Sequence, residues 1–122
     1  MIARMAKLLL AGLVFSATCA HATELIVQKR VSVSRSLAGQ VVVFGTEEPL
    51  SGGTVELCSP DWKDVIASAK TDNTGHFSLE PIMKSKLFYL RVSAPNMNIY
   101  QLRVRVDKRA EQGLNIHLSV AT

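Results

Sequence analysis

A chain of 122 residues with 14 lysines and arginines against 10 aspartates and glutamates carries a net charge of +4 at pH 7, and its length suits one ordinary domain rather than two. With 48% hydrophobic and 20% charged residues, it is not a disordered polymer. Without the basic residues of its first segment, Arg4 and Lys7, the charge is +2, which does not argue for nucleic-acid binding.

Residues 1–7 carry Arg4 and Lys7 and no acid, and residues 8–20 are almost wholly apolar. Ala20-His21-Ala22 then sets small residues at the two positions that a signal peptidase reads. This order predicts a secretory signal peptide over 1–22, cleaved after Ala22. The apolar run is about half of the roughly 20 residues that a membrane-spanning helix needs. Lipidation at Cys19 is a weaker alternative, because Ser16-Ala17-Thr18 fits a lipobox badly. The expected mature chain is exported, periplasmic or extracellular, with no membrane span. Loss of Arg4 and Lys7 lowers the basic count from 14 to 12 against 10 acids, a net charge of +2. Cys58 then stands alone, as a buried inert thiol or as a site for an intermolecular bridge.

Residues 23–36 form an N-terminal linker or an edge strand. Leu25, Val27, Val31 and Val33 alternate with polar residues, and such a segment could pair with another chain. From residue 37 onward the apolar residues alternate as in half-buried strands. Leu37, Gly39, Val41 and Val43 share one face. Residues 45–52 read as a loop around Pro49. Gly53, Val55 and Leu57 share the next face, with Thr54, Glu56 and Cys58 opposite, and Pro60 ends that strand. Val65, Ala67 and Ala69 make a weaker third strand. Thr71-Asp72-Asn73-Thr74-Gly75 is a turn, with Asp72 capping the backbone and Gly75 accepting a positive φ. Phe77 and Leu79 point inward before Pro81. Phe88, Leu90, Val92 and Ala94 lead to a turn at Pro95-Asn96-Met97-Asn98. Tyr100, Leu102, Val104 and Val106 run back, and residues 107–112 make a charged connection. Leu114, Ile116, Leu118 and Val120 form the last strand. No segment offers a useful amphipathic helix. Seven short alternating strands predict an all-β, seven-stranded antiparallel sandwich over 37–122.

Four stretches in order carry a resemblance to a known family. They are Leu37-Ala38-Gly39-Gln40-Val41, the run Glu48-Pro49-Leu50-Ser51-Gly52-Gly53-Thr54-Val55, Thr71-Asp72-Asn73-Thr74-Gly75-His76-Phe77, and Phe88-Tyr89-Leu90-Arg91-Val92-Ser93-Ala94. Together the chain resembles the carboxypeptidase regulatory-like domains, which are transthyretin-like (prealbumin-like) β-sandwiches. Asn96 stands where that family prefers glycine, and asparagine also tolerates the left-handed conformation. The resemblance implies a Greek-key sandwich and an accessory, non-catalytic unit that supports folding, spacing or binding.

Candidate chemistry is sparse. The two histidines beyond the leader, His76 and His117, fall on the outward parity of their strands, and no spacing resembles paired zinc ligands. Asp72 to Gly75 resembles part of a calcium loop but lacks the later acidic ligand. The fold also hosts 5-hydroxyisourate hydrolases, whose Tyr-Arg-Gly-Ser tail is replaced here by His117-Leu118-Ser119-Val120-Ala121-Thr122. No catalytic residue, metal ligand or cofactor is expected. On the outward side, Arg91, Arg103 and Arg105 share one parity, with Tyr89 and Gln101 between them, and Trp62 sits in a nearby loop. Such a stripe could hold an anionic polysaccharide or an acidic partner; a solvated face balanced by acids such as Glu56 is the competing account. The expected function is an exported, non-enzymatic module that binds or assembles with an envelope or extracellular protein or polysaccharide. The alternatives are a structural, self-associating exported protein and a small transthyretin-like hydrolase.

Overall fold

Alternating Val, Leu and Ile with no helix-length apolar period yields strands throughout the described part of the chain. The computed structural model describes residues 23–80 and 86–122; the signal peptide over 1–22 and the stop at Pro81 lie outside the described residues. In chain order the strands are β1 (Leu25–Val27), β2 (Ser32–Ser34), β3 (Ala38–Val43), β4 (Thr54–Cys58), β5 (Val65–Lys70), β6 (His76–Ser78), β7 (Leu87–Ser93), β8 (Ile99–Val106) and β9 (Leu114–Leu118). No helix occurs among the described residues. One sheet has six strands, in the order β1-β8-β7-β4-β5, with β2 also on β8; the other has three, in the order β6-β3-β9.

The all-β expectation holds, and the count and the strand directions are corrected. There are nine strands rather than seven, and the sheets are mixed rather than antiparallel. β1 and β2 run parallel to β8, and β3 runs parallel to β9. Period-2 alternation reports which side chains face inward but not the direction of the neighbouring strand. The segment left open as linker or edge strand is ordered at the sheet edge. Val27 faces Gln101 while Ser32 faces Val104, so five steps of this segment span three of β8 and two residues bulge. Gln28 fills the bulge: its Nε2 donates to Arg30 O at 2.8 Å and Ser32 Oγ at 2.7 Å, and its Oε1 accepts the Tyr100 hydroxyl at 2.6 Å.

One buried cluster draws on both sheets. Val41, Phe77, Ile116 and Leu118 of the smaller sheet join Val55, Leu57, Leu90, Val92, Leu102 and Val104 of the larger. Two local expectations fail. A register shift between Leu57 and Cys58 sets Cys58 against Val65; Val65 is left 47% exposed, and Ile66 packs on the core beside Ala67 and Ala69. The last strand stops at Leu118, so Val120 points outward and Ala121 is buried instead.

The predicted turn at 71–75 forms. Asp72 Oδ1 accepts the N–H groups of His76 and Thr74, both at 2.9 Å, and the Thr74 hydroxyl at 2.8 Å, while Gly75 has φ 79°. These bonds, the His76 N–H first, hold the Asp72 carboxyl below the usual aspartate range. The native state therefore binds fewer protons than the unfolded chain as pH falls. The turn's contribution is complete above the ordinary aspartate value of about 3.9 and is lost as pH drops through the lower folded value. Urea midpoints measured from pH 6 to pH 2 should fall less steeply for Asp72→Asn than for the native chain; equal slopes would refute this.

Candidate functional site

Antiparallel pairing of β7 with β8 puts Tyr89 opposite Arg103, Arg91 opposite Gln101 and Leu87 opposite Arg105. Strand β4 adds Glu56 beside Arg91 and Cys58 beside Tyr89. The residues singled out by parity therefore share one outer face of the six-stranded sheet, but they do not behave alike. Arg91 Nε meets Glu56 Oε1 at 2.9 Å, and its Nη1 donates to the Trp62 carbonyl at 3.3 Å. The Glu56 hydrogen bond raises the already high Arg91 pKa. The balancing-acid account is thus correct for Arg91, which ties β4, β7 and the Trp62 loop together. Arg103 donates from Nη2 to the Lys29 carbonyl at 2.7 Å and has no acidic partner among the described residues. Arg105, one row further along, is exposed and also lacks an ion pair with any described residue.

Trp62 is held in an unusual way. Its φ is 67°, a left-handed conformation that costs a non-glycine residue about 1–2 kcal/mol. A dense local network enforces it. Ser59 N–H donates to Asp64 O at 2.9 Å and Trp62 N–H donates to Ser59 O at 2.8 Å. Asp61 Oδ1 accepts the Ser59 hydroxyl at 2.6 Å and the Lys63 N–H at 3.0 Å. The Ser59 bond is the main reason the Asp61 carboxyl lies below its usual range. The indole stands edge-on to Tyr89, with ring centres 5.4 Å apart and planes at 85°, a favourable aromatic geometry.

A groove of about 300 Å³ is lined by Trp62, by Val27 and Lys29 of the N-terminal segment, and by Gln101 and Arg103 of β8, among others. Gln101 is only 7% exposed. The other buried polar side chains, Ser34, Thr71 and Asn98, all have hydrogen-bond partners. The Gln101 amide has none among the described residues. A buried amide without a protein partner is costly unless water or a ligand satisfies it. Parity had placed Gln101 on this face; Val27 and Lys29 were not anticipated there, because nothing in the sequence showed that 25–34 pairs with β8.

The remaining candidates do not converge. His76 is exposed and its Nδ1 lies 2.8 Å from Thr74 Oγ1. His117 lies on another side, with Nε2 3.0 Å from Glu47 Oε1 and its ring edge-on to Phe44. Cys58 is fully buried, and burial raises its thiol pKa, so the inert-thiol alternative suits its position better than a bridge to another chain. Among the described residues no three His, Cys, Asp or Glu side chains gather as a metal site. No described helix is long and apolar enough to cross a membrane. The chain matches no protein-family model and no curated protein at a significant level of similarity.

Proposed function

We propose that the protein is an exported, non-catalytic binding module, a transthyretin-like Greek-key sandwich whose β7–β8 outer face holds an anionic polysaccharide of the cell envelope or its surroundings. The leader pattern supports export, the four ordered motifs support the sandwich, and the shared core is compatible with two stacked sheets. One observation carries the ligand reading: Gln101, nearly buried and with no partner for its amide among the described residues, lines one groove together with Trp62 and Arg103. An amide supplies paired hydrogen bonds for sugar hydroxyls, an aromatic ring supplies an apolar face, and an arginine supplies a carboxylate partner.

Calorimetric titration with polygalacturonate and with neutral dextran tests this. Native protein should prefer the acidic polymer. Trp62→Ala, and separately the Arg103→Ala, Arg105→Ala pair, should each weaken binding about tenfold, equivalent to about 1.4 kcal/mol; Trp62→Ala also loses the edge-on contact with Tyr89, so its affinity is compared on protein that a urea transition shows to be folded. Equal binding by native and variant proteins would remove the proposal. Trp62→Gly adds an internal control, since it abolishes the ring while relieving the left-handed strain.

A second reading, self-association, has its own observation. Leu25, Val27, Val31 and Val33 are 55%, 55%, 37% and 46% exposed along the outermost edge, and open apolar edges template strand pairing. The two-residue bulge interrupts that edge, which makes this the weaker reading. Sedimentation showing a monomer at high concentration would discard it.

A further inference from the structure

The open end of the β7–β8 hairpin carries a second groove, of about 410 Å³, lined by Lys86, Arg105, Val106, Asp107, Lys108 and Arg109. We propose that this groove is a separate subsite for a tetrahedral oxyanion, a phosphate or sulfate ester carried by the same polymer. The inference rests on the reading of this face as anion-binding and adds the chemical class of the charged group.

The backbone around the groove is well fixed. Val106 N–H donates to Lys86 O at 2.9 Å, Asp107 N–H to Ser34 O at 2.8 Å, and Ala110 N–H to Asp107 O at 2.9 Å. Asp107 is the sole acid among the described residues lining the groove, and its Oδ1 is engaged by Arg109, at 2.9 Å from the backbone N–H and 3.4 Å from Nε. Lys86, Arg105 and Lys108 form no ion pair with any described residue. Three unneutralised cations therefore converge on one space, whereas Arg91, on the same sheet face, is neutralised by Glu56.

Such an assembly repels itself until an anion enters. A carboxylate brings one negative charge and saturates with a single arginine. A phosphate monoester brings close to two charges and a sulfate ester one, but each presents three oxygens in a tripod, enough to engage the fork of Arg105 and two ammonium groups together, where a carboxylate has two oxygens in one plane. Arg105 also connects the two grooves. Alternate residues of a strand lie about 7 Å apart on one face, so Arg103 and Arg105 can follow successive charges of one extended polymer.

The direct test is an amide-resolved NMR titration of the protein with inorganic phosphate, inorganic sulfate and acetate at matched ionic strength. Phosphate and sulfate should shift the signals of 86 and 105–109 saturably, and acetate should not. Lys86→Ala, Lys108→Ala should weaken phosphate binding at least tenfold, while Trp62→Ala should leave it unchanged. Linear, non-saturating shifts from all three anions, or an unaltered double variant, would overturn the subsite. Polymer arms separate this result from the first reading. Sulfated dextran should bind more tightly than carboxymethyl dextran, and the lysine double variant should abolish that preference while retaining carboxymethyl dextran binding. If Trp62→Ala leaves both polymers bound normally, the aromatic groove fails while the phosphate titration still judges the subsite. Binding to phosphatidate vesicles in place of sulfated dextran would overturn the polymer as the source of the ester.

Discussion

Gly39→Ala is expected to unfold the protein or to destabilise it by about 3–5 kcal/mol, in the range reserved for named structural failures. A β-carbon at Gly39 would run into the carbonyl oxygen, carbonyl carbon and nitrogen of Leu114. All three are backbone atoms, so no rotamer change relieves the clash. Gly39 pairs with Leu114 at the start of the β3–β9 register, which continues through Gln40–Asn115, Val41–Ile116, Val42–His117 and Val43–Leu118. Separating the strands at that point disturbs the ladder and loosens Ile116 and Leu118, both almost fully buried. A domain of this size has about 5–15 kcal/mol of total stability, and with no disulfide among the described residues nothing covalent compensates. Gly45→Ala is the control. Gly45 has φ 99° but no atom within 4 Å of the added carbon, so only conformational strain of about 1 kcal/mol applies. Urea unfolding of both variants checks the contrast; a Gly39→Ala midpoint no lower than that of Gly45→Ala would contradict it.

The second large effect is expected at Leu90→Ala. Leu90 has no exposed surface and lies between Leu57 on β4 and Leu102 on β8. Truncation leaves a cavity in the centre of the larger sheet and should cost about 2–5 kcal/mol. Leu90 lies between Tyr89 and Arg91, which face the opposite side of the strand. If the outer face alone recognises the ligand, the folded fraction of Leu90→Ala should bind acidic polysaccharide with native affinity. Urea unfolding with and without saturating ligand separates the two quantities: the midpoint should drop sharply, and the ligand-induced increment should match that of the native chain. An increment reduced in parallel with stability would show that the ligand contacts depend on core packing.

How far local pattern reaches is clearest in neighbouring segments. Along β7 and β8 the alternation of Phe88, Leu90, Val92, Leu102 and Val104 with Tyr89, Arg91, Arg103 and Arg105 gave the inner and outer faces correctly, since side chains of any extended chain alternate. The 71–75 turn was equally legible, because Asp72 capping and the positive φ at Gly75 involve only adjacent residues. In strand β5 Ala67 and Ala69 pack on the core as the alternation implies, but Val65 does not, because the register shift at Leu57/Cys58 depends on a partner strand and leaves no trace in the spacing of Val65, Ile66 and Ala67. The end of β9 escaped for a similar reason: Val120 continues the alternation, but the strand has already stopped.

The candidate groove divides along the same line. Tyr89, Gln101 and Arg103 could be placed on one face from parity. Lys29 and Val27 could not, because they arrive through parallel pairing of 25–27 with 99–101, contacts between residues 74 positions apart in the chain, as in the Glu24 N–H bond to Asn98. Nor could the left-handed Trp62, the choice of Arg91 rather than Arg103 or Arg105 as the partner of Glu56, or the placing of Lys86 in one groove with Arg105 and Lys108. By itself the sequence determined strands β3–β9, their faces apart from Val65 and Val120, and the turn at 71–75, because those follow from the backbone period and from side-chain-to-backbone bonds across a few residues. Only the tertiary structure decided which cations are neutralised, which are left open and which grooves they line, since these depend on strand partners and registers chosen by the packing of the whole core.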